Sequence, residues 1–296
     1  MHYIVLDFEW NQPLSEKEMI TEPFPFDSEI IEIGAVKLDE SFQTVDEFKT
    51  FIRPQFYPHM SSAVVQLTKI RPQELEKAPS FPEAFDAFID WCGDDCVLCS
   101  WGPDDIPVLL DNMLLHGIPI EPFPYCYDLQ RIFARELLRE NRQCSLSDAV
   151  KMLKLPADRA HDALNDTRNT VRVCERMDLA GCIDEYRTAF VGYEADRKSG
   201  LISGRISPSL DAALADTRVN EITCPYCGEQ VSLTLSTREG NTILGYGICN
   251  EGDEFLAHIQ HYRQADNARK VKRIVYEMSD DLWDTYQQAK SAASPV

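Results

Sequence analysis

Tyr3-Ile4-Val5-Leu6-Asp7-Phe8-Glu9 is an apolar run that closes on two carboxylates. Residues i and i+2 of a strand share a face, so Asp7 and Glu9 project side by side at the end of a buried strand. Like charges set together repel unless cations lie between them. Hard divalent ions such as Mg²⁺ take oxygen ligands of this kind. A lone Asp-x-Glu also suits a solvated strand end, so the segments around it decide.

Outward from this strand, Asn11 to Asp27 is polar and proline-containing and reads as a loop. Glu29 to Leu38 and Val45 to Ile52 read as two more strands, which with the first suggest an antiparallel meander. Ser80-Phe81-Pro82-Glu83 opens a helix with an N-cap serine, an early proline and a capping-box glutamate. Its Phe81, Ala84, Phe85, Phe88, Ile89 and Cys92 fall at helical spacing and predict one buried face. Cys96 to Ser100 is a short strand, and a helix follows from Pro103. Pro124 to Asp128 reads as a fifth strand, with a helix over Leu129 to Leu138. Ser145-Leu146-Ser147-Asp148 caps a helix ending near Leu153, and a last long helix runs from about His161 to Met177. Three strands followed by alternating helix and strand predict an α/β domain with a mixed five-stranded sheet flanked by helices. The expected division is residues 1–180 for this domain, 181–218 for a helical or linker segment, and 219–296 for a small Cys/His module. Within the middle segment, Asp196 to Ser209 has a linker composition. Ser291 to Val296 is expected to fray.

The chain has 296 residues, 44% of them hydrophobic and 26% charged, a globular composition. No apolar run approaches a membrane span, and Met1-His2-Tyr3 leads straight into a strand pattern, so a cytoplasmic protein without a membrane partner is expected. Of ten cysteines, Cys92, Cys96, Cys99, Cys126, Cys144, Cys174 and Cys182 show no ligand spacing and read as reduced core residues. The net charge is −20, from 49 acidic and 29 basic residues. That argues against tight binding of long duplexes, whose affinity comes from Lys and Arg on phosphates. It leaves room for an enzyme that holds a short strand through metal ions.

Further acids stand at element ends: Asp104 and Asp105 after the fourth strand, and Asp162 and Asp166 at the start of the last long helix. The crevice beyond the carboxyl ends of strands one and four is where α/β sheets bind ligands. With these residues in view, the chain resembles the DEDDh exonucleases, a ribonuclease-H-like group that includes proofreading subunits and RNA-trimming nucleases. The resemblance rests on Asp7-x-Glu9, Asp105 with Leu109, His161-x-x-x-x-Asp166, Ile31-Glu32-Ile33-Gly34-Ala35-Val36 and Leu67-Thr68-Lys69-Ile70. It covers about residues 1–180. Two segments depart from the family pattern: Trp10-Asn11-Gln12 stands where Thr-Thr-Gly is usual, and Lys69 replaces the glycine of Leu-Thr-Gly-Ile. Phe8-Glu9-Trp10 and Ser100-Trp101-Gly102 lean toward the RNA-trimming branch.

The resemblance implies that Asp7, Glu9, Asp105 and Asp166 hold two Mg²⁺ or Mn²⁺ ions, with His161 as general base. Asp104 rivals Asp105, and the spacing to Leu109 favours Asp105. Asp162 reads as a first-turn residue favoured by the helix dipole. Glu9, Trp10, Leu67, Thr68 and Trp101 are candidates for holding the terminal nucleotides, Trp101 being equally readable as core. The implied activity is stepwise 3′→5′ release of nucleoside monophosphates from single-stranded RNA or DNA with a free 3′ end. A catalytically silent nucleic-acid-binding or adaptor protein on the same fold is the alternative, and polymerase proofreading is the nearest variant of the enzymatic reading.

In the C-terminal module, Cys224-Pro225-Tyr226-Cys227-Gly228 is a zinc half-site. Cys249 follows a strand-like stretch, and Asp253 to Arg263 reads as a helix carrying His258 and His261. A zinc-ribbon or finger-like site of Cys224, Cys227, Cys249 and one histidine is expected, with His258 before His261. Arg263, Arg269, Lys270, Lys272 and Arg273 form a basic cluster, readable as a phosphate-contacting patch or as a solvated face.

Overall fold

The computed structural model describes residues 1–120, 125–140, 142–237 and 240–292. It divides into two compact units, Met1–Asp184 and Glu185–Val296.

The first unit is built on a mixed five-stranded sheet of order β3-β2-β1-β4-β5, the architecture expected from the sequence. Its strands are β1 (His2–Asn11), β2 (Glu29–Leu38), β3 (Thr44–Phe51), β4 (Cys96–Ser100) and β5 (Cys126–Asp128). The meander β1-β2-β3 is antiparallel, whereas β4 and β5 run parallel to β1. The helices are α1 (Ser62–Thr68), α2 (Pro72–Leu75), α3 (Phe81–Cys92), α4 (Asp105–Leu115), α5 (Leu129–Ile132), α6 (Leu146–Met152), α7 (Ala163–Cys174) and α8 (Leu179–Cys182). The predicted helix over Leu129 to Leu138 is α5 continued by a π-helical turn, Phe133–Leu138. The expected strand start at Pro124 lies outside the described residues.

Two features of this unit position the site. The first is a bulge: Glu9 pairs with Glu32 but Trp10 pairs with Ile30, so Ile31 is the extra residue. A bulge bends its strand and raises local twist, and is common beside functional sites. Fully buried Asn112 of α4 serves this edge, accepting from the Ile30 amide at 3.1 Å and donating to the Ser28 carbonyl at 2.8 Å. The second is Gly34, directly opposite Asp7. A Cβ there would lie 2.2 Å from the carbonyl carbon of Ala163 and the amide nitrogen of Leu164. Only a residue without a Cβ lets the first turn of α7 sit this close to the sheet.

The second unit corrects the sequence reading. Of the helical or linker segment expected over 181–218, residues 185–218 take the helical alternative, and Asp196 to Ser209 is part of the folded unit and not a linker. Residues 185–218 form α9 (Tyr193–Lys198), β6 (Arg205–Ser207), α10 (Leu210–Leu214) and α11 (Thr217–Asn220), with Leu201, Ala213 and Val219 in the core. The hairpin β7 (Glu221–Thr223) and β8 (Gln230–Ser232) follows. Then come β9 (Thr234–Thr237), β10 (Thr242–Ile248), β11 (Glu254–Arg263) and β12 (Arg269–Glu277), in an antiparallel sheet of order β6-β12-β11-β10-β9. The predicted helix from Asp253 to Arg263 is therefore strand β11. A C-terminal helix, α12 (Asp280–Ala292), covers part of one face through Leu282, Tyr286 and Ala289. Arg273 leaves the predicted surface cluster altogether. It is buried in an ion pair with Asp196, and its guanidinium also donates to the Val219 and Glu221 carbonyls.

The ten cysteines are free thiols. Among the described residues, no helix is long and apolar enough to cross a membrane.

Candidate active site

Strand geometry sets the acidic cluster. Asp7 and Glu9 share one face of β1, and Gly34 and Glu32 oppose them on β2, so all four belong to the face on which α7 lies. Asp162 caps α7, accepting from the Asn165 amide at 3.2 Å. Asp166 follows one turn later and receives the His161 amide at 2.7 Å. The helix thus begins at Ala163, and His161 precedes it in a left-handed conformation, φ 62°. That conformation is uncommon for a residue with a side chain. Glu9, His161 and Asp166 each offer a ligand atom within 4.8 Å of the others.

Asp7 and Asp105 stand outside that tight set. Asp105 is buried at the start of α4 and accepts from the Phe8 amide at 3.2 Å, which ties it to the strand between Asp7 and Glu9. Asp104 is exposed.

Burial governs the charge of these acids. It raises Asp7 well above the usual carboxylate range, with the charges of Asp105, Asp166 and Glu9 adding to the effect. Glu9 is pushed up to about 8 by burial and then by Glu32. Asp105 is pushed up to about 7, mainly by burial, with the Phe8 amide pulling back. Asp166 is also raised by burial, against the His161 amide. Carboxylates held so far from their ordinary range bind cations well, because a cation removes the repulsion that opposes their ionisation.

A supporting network escaped the sequence reading. Lys49 of β3 places its ammonium 2.6 Å from Glu32 and 2.8 Å from Asp162. Glu32 also accepts from the Ala163 amide at 3.3 Å. The network fixes the start of α7 against β2 and β3, and so orients Asp166. The signal was present as a glutamate inside the apolar run Ile30-Ile31-Glu32-Ile33.

The remaining candidates separate. Trp10 is half-buried on β1, and Leu67 is 51% exposed at the end of α1. Thr68 is buried, its hydroxyl donating to the Val64 carbonyl and accepting from the Ile70 amide. Lys69 then adopts φ 67°, which explains why a glycine suits that place in similar sequences. Trp101 belongs to packing. Its ring lies 5.4 Å from that of Phe133, and its indole N–H donates to the Cys144 carbonyl at 3.1 Å.

In the second unit, Cys224, Cys227, Cys249 and Asp253 bring ligand atoms within 4.8 Å of one another. Two turns create the cluster. Gly228, φ 76°, closes the first on Cys224, and Gly252, φ 99°, returns Asp253 to Cys249. The Asp253 carboxylate lies 3.4 Å from the Cys224 sulfur and 3.2 Å from the Cys249 sulfur. His258, the expected fourth ligand, is not in the cluster. Because 254–263 is a strand, His258 sits on β11 opposite Ile274, with its ring 5.6 Å from that of Tyr276. His261 lies farther along the same strand, opposite Val271.

The exonuclease family model RNase_T matches residues 4–174, all within the first unit. Over 171 residues the chain is 25% identical to 3'-5' exoribonuclease 1 of Rattus norvegicus, covering 54% of this chain and 50% of that one. Over 176 residues it is 33% identical to DNA polymerase III PolC-type of Thermotoga maritima, covering 59% of this chain and 12% of that one. The chain therefore spans half the length of the first relative and a small part of the second. It also matches the crystallographic structure of the nuclease domain of 3'hExo, a DEDDh family member bound to rAMP. There the TM-score is 0.54 at 25% identity, with 61% of this chain and 93% of that one covered.

Proposed function

The chain belongs to the RNase_T exonuclease family, and from that premise we propose that its first unit is a metal-dependent 3′→5′ exonuclease releasing nucleoside monophosphates from single-stranded RNA or DNA. The carrying observation is the convergence of Glu9, His161 and Asp166 within 4.8 Å, beside the half-buried carboxylate of Asp7 and the buried one of Asp105.

Asp7, Glu9, Asp105 and Asp166 would hold two Mg²⁺ or Mn²⁺ ions. When bound, such ions supply Lewis-acid polarisation of a phosphate and of an attacking water. His161 takes the proton of that water, its backbone anchored to Asp166 by the amide hydrogen bond. The water oxygen forms a bond to phosphorus, the bond to the preceding nucleotide's 3′ oxygen breaks, and that oxygen takes a proton from solvent. Exposed Leu67 and half-buried Trp10 offer apolar surface to the terminal base. The Arg159 guanidinium, 3.4 Å from the Thr68 carbonyl, joins the end of α1 to the segment before His161.

In the second unit, Zn²⁺ on Cys224, Cys227, Cys249 and Asp253 would tie the turn of the β7–β8 hairpin to that between β10 and β11. Two buried thiols and one carboxylate form a closed structural site with Cys227 at its exposed side.

The test is digestion of matched 5′-labelled RNA and DNA oligomers, single- and double-stranded, with Mg²⁺ and then EDTA. Stepwise shortening with monophosphate products in Mg²⁺, abolished by EDTA, is expected. Binding without shortening would support the silent-adaptor reading. Preference for DNA would favour the proofreading variant, which the 33% identity to the PolC-type relative supports.

A further inference from the structure

The sheet of the second unit is covered unequally. One face, with Phe255, Ala257, Ile259, Val271 and Val275, lies in the core. On the other, α12 packs over Leu244 and Leu256, leaving the part toward the β11–β12 turn. There Tyr262 stands directly opposite Lys270, Gln260 opposite Lys272, and Ile206 of the edge strand also opposite Lys270. Directly opposed residues of antiparallel strands share a face, so these five side chains form one patch. Tyr262 is 39% and Ile206 59% exposed. Lys270 does not sweep freely. Its stem occupies the notch left by Gly204, with Cε 2.2 Å from where a Cβ would stand.

Charge distinguishes this patch from the rest of the chain. Lys270 and Lys272 stand on this face with no acid among its five side chains, in a protein of net charge −20, whereas Arg263 and Arg269, opposed to each other, belong to the other face of the sheet. A polyanion is repelled by such a chain as a whole and attracted here. An aromatic ring beside a seated lysine offers a stacking surface and a phosphate contact at neighbouring points.

We propose that this half of the sheet face binds a segment of single-stranded nucleic acid, Tyr262 stacking on a base and Lys270 meeting a phosphate. The assignment rests on the nuclease reading of the first unit. It identifies a second contact through which longer strands are held.

The test uses the full chain and a fluorescent single-stranded oligomer of about 15 nucleotides, with anisotropy followed against salt in EDTA. K270E is expected to weaken binding about tenfold and to lower the slope of log K against log salt by about 0.7 or more. Y262A is expected to weaken binding with the slope unchanged, and Y262F to retain it. Both exposed-face variants should hydrolyse a trinucleotide in Mg²⁺ at the wild-type rate. Wild-type affinity and slope in K270E and Y262A would overturn the proposal. So would displacement of the oligomer by polyglutamate with Y262A silent, which would assign the face to an acidic protein. If wild-type protein bound as expected yet left the trinucleotide intact in Mg²⁺, the nuclease reading would fail and the binding face would stand.

Discussion

Glu9 and Glu32 face each other across β1 and β2, two buried carboxylates in directly opposed positions on one face of the sheet. Like charges so placed destabilise a sheet. Lys49 offsets Glu32 at 2.6 Å, which leaves Glu9 grouped with Asp166 and His161. The first unit carries a local cost that a bound cation would relieve.

Stability without metal should therefore depend on pH in a defined direction. Glu9 is raised to about 8 and Asp105 to about 7, whereas both return to the ordinary carboxylate range on unfolding. The folded chain then holds more protons than the unfolded one between these limits. Stability present below the unfolded range is lost as pH rises through the folded values. In EDTA, calorimetry should show the first unit's Tm falling by roughly several degrees between about pH 5.5 and 8. Mg²⁺ or Mn²⁺ should raise it more at the upper end. A metal-free Tm that climbed across this window would contradict the packing described.

Replacing Asp7 by Asn should separate stability from activity. It removes a half-buried charge that Asp105, Asp166, Glu9 and Glu32 crowd while keeping the side chain's volume. Exonuclease activity should fall by about 10³-fold or more, and the Tm in EDTA should rise by a few degrees, as at other strained functional sites. Loss of activity together with a lower Tm in EDTA would mean that Asp7 supports the fold instead.

Gly34→Ala should disturb the site without touching an acid. The added methyl meets backbone at 2.2 Å, and backbone cannot swing aside as a flexible side chain can. Overpacking of this kind costs about 1–3 kcal/mol. Denaturant unfolding should show a loss in that range, and kcat should drop because the first turn of α7 carries Asp166. A variant with wild-type stability would show that α7 can shift freely.

Lys49→Met should leave Glu32 buried without its ammonium partner and remove a contact of Asp162. A loss of about 1–3 kcal/mol is expected, since Lys49 is itself partly exposed. Adding Glu32→Gln should restore part of it. A double-mutant cycle with no coupling would rule out the network.

Zinc content should discriminate between the histidine read from sequence and the carboxylate found in the structure. Purified protein should carry about one equivalent of Zn²⁺. Asp253→Ala should reduce its affinity about tenfold or more, whereas His258→Ala should leave zinc bound. Zinc retained by D253A and lost by H258A would reinstate the histidine.

Much of the first unit was legible because each of its elements carries a local signal. The apolar strand runs, the Ser80 and Ser145 caps and the helical spacing of Phe81 to Cys92 correspond to observed elements, although Ile89, expected on the buried face of that helix, is exposed. The boundary before α7 was not legible. The left-handed turn at His161 and the cap at Asp162 depend on where the amide of His161 finds Asp166. Strand β11 was misread for a different reason. Its Phe255, Leu256 and Ala257 are all buried, because the core covers one face and α12 the other. A strand covered on both faces loses the alternation by which strands are recognised.

By itself the sequence determined the order of elements in the first unit and which residue types stand at their ends, since helix caps and apolar periodicity act over a few residues. Only the tertiary structure decided which charged groups become neighbours. The Glu9–Glu32 opposition, the bridge from Lys49 to Asp162, the close approach of α7 to Gly34 and the choice of Asp253 over His258 all join segments far apart in the chain. Such contacts follow from strand register and loop closure, which no local pattern encodes.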